Sequence, residues 1–218
     1  IGLPGCFKGT YSALLAQRIN AERISLGEWL ISCRKAIKLT EQLNNNIIPD
    51  SNQNSSFHRS SLLEYISKRM ESIDPKKMVI FDSIPKTSSH FNSIRTVINL
   101  KNFQVVHMSL DIPVIAKLLA SRTVCLKCFK TYNDLHFKDD KHELRPILPK
   151  IPNRCDVCTG ELIRRSDDSM ESFSARLLYY EHDDQKLIKL FEEIPVNIQK
   201  FNPVKGTSDF DRFMDQIK

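Results

Sequence analysis

What the chain lacks narrows the field first. No apolar run approaches the ~20 residues that a helix needs to cross a bilayer, so no membrane partner is expected. No block of basic residues stands out. The net charge of +6 comes from scattered lysines and arginines, unlike a nucleic-acid-binding tail, and no nucleic-acid partner is expected. No internal repeat and no secretory or transit segment is visible. The sequence begins at Ile1, almost inside its first motif. The strand that should lead into that motif is missing, so the true N-terminus is expected further upstream. An intracellular location, cytoplasmic or organellar, is the expectation.

What is there suits one α/β domain with insertions, or a core carrying small lobes. Apolar residues make up 41% of the 218, enough for a core, and charged residues 27%. The basic balance fits either a cleft that attracts polyanions or a lysine-rich solvated surface. Strands alternate with helices, which implies a parallel sheet. Tyr11 to Asn20 reads as a helix, and "RISLGEWLISCRK" as a turn into a second. "LNNNIIPDSNQNSSFHRS" is polar and reads as an exposed loop or insertion. Ser61 to Met70 reads as a helix. "MVIFDSIPKT" and "FQVVHMSLDIP" read as buried parallel strands, the first with a functional carboxyl end at Asp82. "VIAKLLASR" follows as a helix. Ser169 to Glu193 reads as a long helix, "VNIQKFN" as the last strand, and Asp209 to Lys218 as the last helix.

Two motifs carry chemistry. In "GLPGCFKGT", Gly2, Gly5, Lys8, Gly9 and Thr10 fit a phosphate-binding loop. Such a strand-to-helix turn aims backbone N–H groups, a helix N-terminus and a lysine at one place. Phe7 stands where the generic pattern has a glycine. A glycine there permits a positive φ and a close approach to phosphate; the phenylalanine ring either lies over the loop or occupies nucleotide space. The second motif is Cys125-x-x-Cys128 with Cys155-x-x-Cys158. Two such knuckles offer four thiolates to a tetrahedral, structural Zn2+; free thiols or a redox pair are the other readings. The cysteine region, from Thr123 to about Arg165, breaks the periodic pattern and should be a separate small lobe. The histidines at 58, 136, 142 and 182 lie in polar surroundings and read as exposed. His107 reads as a core or strand-end residue, and Trp29 as packing.

Further segments match in order. "ISLGEWL", "NNIIPD", "FDSIPKT" and "SRTVCLKC … CDVCTGELIRRSDDSMESFSARLLYY", together with the loop, make the chain resemble the adenylate kinases, a branch of the nucleoside monophosphate kinases, over nearly its whole length. "FDSIPKT" is similar to that family's Asp-Gly-Phe-Pro-Arg-Thr motif, and the cysteine segment to its lid in zinc-bearing form. The resemblance implies a P-loop nucleoside-triphosphate-hydrolase fold: a five-stranded parallel sheet flanked by helices. It implies a core of 1–25, 71–121 and 167–218, a monophosphate-binding lobe of 26–70 with a polar insertion, and a zinc-binding lid of 122–166. It also implies transfer of the γ-phosphoryl group of ATP-Mg to AMP or a related monophosphate by a monomeric enzyme, with Mg2+ and structural Zn2+ as cofactors.

The resemblance implies roles by position. Gly5, Lys8, Gly9 and Thr10 would hold the donor phosphates, and Asp82 would steer Mg2+ through waters. Arg122, Arg165 and Arg176 would clamp the transferring group, and Asp167 and Asp168 would help close the lid. Lys86, His90 and Ile48 would serve the monophosphate; helical spacing, not the resemblance, makes Arg34, one turn beyond Ile31 on nearly the same face, the candidate to stand in for an arginine missing at Ile31. Phosphoryl transfer needs in-line positioning and dispersed positive charge, and arginine's planar fork suits that. The chain departs from the family at Phe7, Leu26, Ile31, Ser83, Lys86, His90 and Lys117. Ile31 replaces an arginine that grips the monophosphate, and Ser83 replaces a glycine. Two other readings follow from these departures. One is a nucleotide-binding or structural protein that kept the fold without turnover; the other is an enzyme with an altered acceptor.

Overall fold

The computed structural model describes residues 1–30, 33, 56–164, 168 and 170–218. For 56–61, 170–172, 175–176 and 178–180 it gives the helical backbone alone. Arg34, Ile48, Arg165 and Asp167 lie outside the described residues, as does the side chain of Arg176.

The architecture is α/β. Helix α1 (Lys8–Arg18) starts directly at the phosphate-loop motif. It ends beside Asn20, whose φ of 51° is the left-handed conformation in which helices commonly stop. Strand β1 (Glu22–Ser25) pairs in parallel with β2 (Val79–Asp82), with Ser25 opposite Asp82. Strand β3 (Gln104–Met108) pairs in parallel with β9 (Asn197–Phe201). Ile1 lies beside β3: its amino group donates to the Val106 carbonyl at 2.8 Å, and its own carbonyl accepts from Met108 N–H at 3.0 Å.

Strand β1 corrects the sequence reading, which put a turn there. One fully buried aliphatic residue, Ile24, in four residues gives no readable period. Helix α2, of which residues 26–30 and 33 are described, follows at once. The remaining helices are α3 (Ser56–Ser72), α4 (Ser88–Ile94), α5 (Ile112–Ala120), α6 (Met170–Glu192) and α7 (Phe210–Gln216). In α5 the buried Val114, Ile115, Leu118 and Leu119 face inward, the i, i+1, i+4, i+5 spacing of one helical face. Trp29 is buried, as expected, in the cluster around Ile24 and Ile66.

A second core cluster fixes the start of α1. The Tyr11 ring lies 5.0–5.7 Å from Phe201, Phe210 and Phe213, and its hydroxyl donates to the Gly206 carbonyl at 2.5 Å. Edge and tilted contacts of this kind add to burial.

The cysteine region forms an antiparallel sheet in the order β5 (Thr131–Asn133), β4 (Arg122–Cys125), β8 (Leu162–Ile163). The segment between β5 and the second knuckle carries a hairpin of β6 (Phe137–Lys138) and β7 (Glu143–Leu144). This hairpin docks on the core. Leu144 is fully buried in the cluster with Tyr11 and Phe210, and Glu143 N–H donates to the Val204 carbonyl at 2.9 Å. Docking also buries His142, which the sequence reading left exposed: it is 2% accessible, with Nδ1 3.0 Å from Asp139 and Nε2 3.7 Å from Asp111.

Candidate nucleotide site

The phosphate loop sits at the carboxyl ends of the parallel strands and feeds α1. Phe7 takes φ 61°, the left-handed conformation that a glycine would adopt freely. Its ring lies against Gly206, beside Leu144, as part of the core. Ser83, the other position where the family has glycine, also takes a left-handed φ, 58°. Both residues thus hold, without being glycine, a conformation that glycine adopts most readily. Lys8 folds back on its own loop, donating from Nζ to the Leu3 carbonyl.

The loop borders a cavity of about 280 Å³. Gly5, Lys8, Gly9, Thr10, Asp82, Lys86 and Arg122 all line it, so one cleft gathers most of the described residues singled out in the sequence. Two fall elsewhere. His90 is buried on α4, where its N–H donates to Thr87 Oγ1 and caps the helix. Asp168 is buried and reaches the cleft through Arg122, with Nε to Oδ2 at 2.7 Å and Nη2 to Oδ1 at 2.5 Å.

Asp82 is 6% accessible and pairs with Arg23 Nη2 at 2.6 Å. Burial opposes its charge, but Arg23, with Lys8 behind it, outweighs burial and holds the carboxyl below its ordinary range. Arg23 is equally constrained: burial works against its charge, and Asp82 and Glu28 more than offset that, holding its pKa up.

Sequence reasoning missed three features. Arg23 sits in a strand too short to be recognised. Asn133 lines the cavity from the lid, and its buried Oδ1 has no hydrogen-bond partner among the described residues. Asp184 lines the cavity and stands 2.6 Å from His107 Nε2. None belongs to a local motif; the fold alone brings them in.

In the lid, the Sγ atoms of Cys125, Cys128, Cys155 and Cys158 all lie within 4.8 Å of one another. The Cys125–Cys158 and Cys128–Cys155 separations are both 3.4 Å. Tetrahedral thiolate ligation at Zn–S near 2.3 Å places sulfurs about 3.8 Å apart, so the quartet fits a metal ion. Backbone N–H groups of Lys127 and Val157 point at Cys125 and Cys155, at 3.3 and 3.4 Å, the turn of each knuckle. Burial resists a thiolate at Cys155, but the Tyr132 hydroxyl and backbone donors overcome it and bring the pKa down to about 6. Burial and the neighbouring cysteine sulfurs instead push Cys128 up to about 12, so the four do not all ionise unaided; a bound cation would favour the thiolates.

A lysine-bearing loop at a helix N-terminus, a strand-end aspartate and an arginine across the cavity are the parts from which a phosphate-binding loop site is built. The sequence model described as "Adenylate kinase, active site lid" matches residues 122–167. A GTP:AMP phosphotransferase of Plasmodium falciparum is 28% identical over 216 residues, covering 97% of this chain and 91% of that protein. An adenylate kinase of Listeria monocytogenes is 26% identical over 231 residues, covering 100% and 95%. One from Methanothrix thermoacetophila is 26% identical over 220 residues, covering 100% and 94%. A lid match, with relatives aligned over nearly the whole chain, supports membership of the adenylate kinase family, and identities of 26–28% fit a divergent member.

Proposed function

We propose that the chain is a nucleoside monophosphate kinase of adenylate kinase type, moving the γ-phosphoryl group of a nucleoside triphosphate to AMP. The observation that carries this reading is the open cavity at the phosphate loop. A retired kinase, the alternative, would have Phe7 filling the phosphate site; the ring instead packs on Gly206 and Leu144. Left-handed backbone at Phe7 and Ser83 supports a loop and strand end that still approach phosphate closely.

In this reading Lys8 swings from the Leu3 carbonyl to the β- and γ-phosphates, and the α1 N-terminus receives the phosphate oxygens with Gly5, Gly9 and Thr10. Arg122, with Arg165 and Arg176, spreads positive charge over the transferring group. Asp167 and Asp168 hold the lid arginines. Lys86, His90, Arg34 and Ile48 serve the monophosphate side. Asp82 supplies the oxygen donor that suits Mg2+, which would screen the triphosphate charge. The cysteine quartet takes a structural Zn2+. The domain scheme is a core, a monophosphate lobe over 26–70 and a lid over 122–166. The five-stranded parallel sheet is completed by the segment at Ile1, in the order β1, β2, Ile1, β3, β9; the bonds from Ile1 to β3 support that place.

The test is a coupled assay of ADP formation from AMP with ATP-Mg or GTP-Mg as donor, since one relative is named for GTP, with other monophosphates in parallel. Turnover with either donor is the expected result. No turnover with any pair, in folded and zinc-loaded protein, overturns the reading.

A further inference from the structure

We propose that Arg23 is a built-in counter-cation of the phosphate cleft, which occupies Asp82 in the nucleotide-free chain and thereby sets how strongly nucleotide binding depends on a divalent metal. This rests on the cleft being a triphosphate site.

Three observations converge. First, Arg23 Nη2 lies 2.6 Å from Asp82 Oδ2, and Ser83 Oγ lies 3.2 Å from Asp82 Oδ1. Both carboxylate oxygens are engaged by the chain itself. Second, the guanidinium is fixed from its other sides. Nε donates to Ser12 Oγ at 2.8 Å, and Nη1 pairs with Glu28. The planar head serves three acceptors at once, each from a different nitrogen. Third, the pair sits at the phosphate loop. A Cβ placed on Gly9 would meet Asp82 Oδ2 at 3.6 Å and Arg23 Nη2 at 3.7 Å.

Mg2+ accompanying a triphosphate is held by one or two carboxylates, by waters and by phosphate oxygens. Glu28, Asp82 and Asp184 are the carboxylates lining the cavity among the described residues, and Glu28 and Asp82 both pair with Arg23. A metal entering here competes with a guanidinium already in place. That guanidinium meanwhile gives the phosphates a positive charge that needs no metal. Arg23 is therefore a positioning residue: it acts through Asp82 and through the local charge.

Metal and nucleotide are linked through one coupling, read as the ratio of the ATP dissociation constant in magnesium-free, chelator-free buffer to that in excess Mg2+. Calorimetric titration of the zinc-loaded 218-residue chain with ATP gives this ratio for wild type, Arg23→Gln and Arg23→Lys. Arg23→Gln frees Asp82 for the metal and removes the metal-independent charge, so the ratio rises about tenfold. Arg23→Lys keeps the charge at a single contact, and its ratio rises about threefold. A residue that only braces the fold would lower the melting temperature and leave the ratio unchanged. ATP binding with ratios equal within about twofold, in whichever variants fold, overturns the proposal and leaves the kinase reading standing. Failure of wild type to bind ATP or GTP in either condition overturns both.

Discussion

Arg122 and Asp168 grip each other at two points, Nε to Oδ2 at 2.7 Å and Nη2 to Oδ1 at 2.5 Å, joining the first residue of β4 to the start of the α6 segment. One ion pair thus closes the neck through which the chain enters and leaves the lid. Its acid is 5% accessible and its base 20%, so neither charge is well solvated alone. Asp168→Ala leaves the arginine unpaired, and roughly 2–4 kcal/mol of stability is expected to go. Urea unfolding measures this, with hydrogen exchange at β4 and β8 locating the loss. Equal exchange in mutant and wild type counts against a role at the neck.

Lys8 is poised on the Leu3 carbonyl, not in the phosphate cleft. Its removal should leave the fold nearly intact and lower phosphoryl transfer at least about a hundredfold. The coupled assay reads the rate, and circular dichroism reads the fold. Residual turnover within a few-fold of wild type would argue that another cation does this work.

Phe7 combines a left-handed backbone with a ring in the core. Glycine relieves roughly 1 kcal/mol of backbone strain and forfeits ring burial worth about 1.5–3 kcal/mol. Phe7→Gly is therefore expected to destabilise by about 1 kcal/mol. Phe7→Ala keeps the strain, loses the ring, and should be worse by about 1 kcal/mol. Thermal unfolding of the pair decides it; alanine no worse than glycine would mean the left-handed turn carries no strain.

The quartet of cysteines should hold one zinc per chain, counted by atomic absorption. Stripping it with a strong chelator should melt the lid at lower temperature than the core, and Cys155→Ser should behave similarly. A single unshifted transition after complete stripping would show that the metal adds no stability.

Burial would raise the carboxyl pKa of Asp82, but Arg23 and Lys8 lower it overall. A folded-state pKa below the unfolded value contributes stability that is fully present above the unfolded value, near 4. That stability is lost as pH falls through the folded one. Acid titration of unfolding free energy should therefore fall more steeply below about pH 4 in wild type than in Asp82→Asn. Parallel curves would mean the pair is absent in solution.

The sequence exposed those parts of the site that are local. The loop, the strand ending at Asp82 and each Cys-x-x-Cys knuckle sit within ten residues or fewer. Their spacing is dictated by one turn, one strand end or one metal. Strand β1 was hidden because parallel pairing with β2 needs no turn chemistry, and four residues hold too little alternation. Arg23, Asn133 and Asp184 come from β1, β5 and α6, and meet only when the chain folds. His142 misled because polar neighbours normally mean solvent; here Asp139 and Asp111 are its burial partners.

The β6–β7 hairpin gives the lid a third attachment. A flap held only where its chain enters and leaves can tilt, twist and translate about a single neck. With Glu143 bonded to Val204 and Leu144 seated beside Phe7, translation away from the core is blocked while that seat persists. The remaining freedom is rotation about a line from the Arg122–Asp168 neck to the Val204 seat. Asn133 and Lys8 line the same cavity, so a swing of the knuckle sheet about that line would change the distance between them.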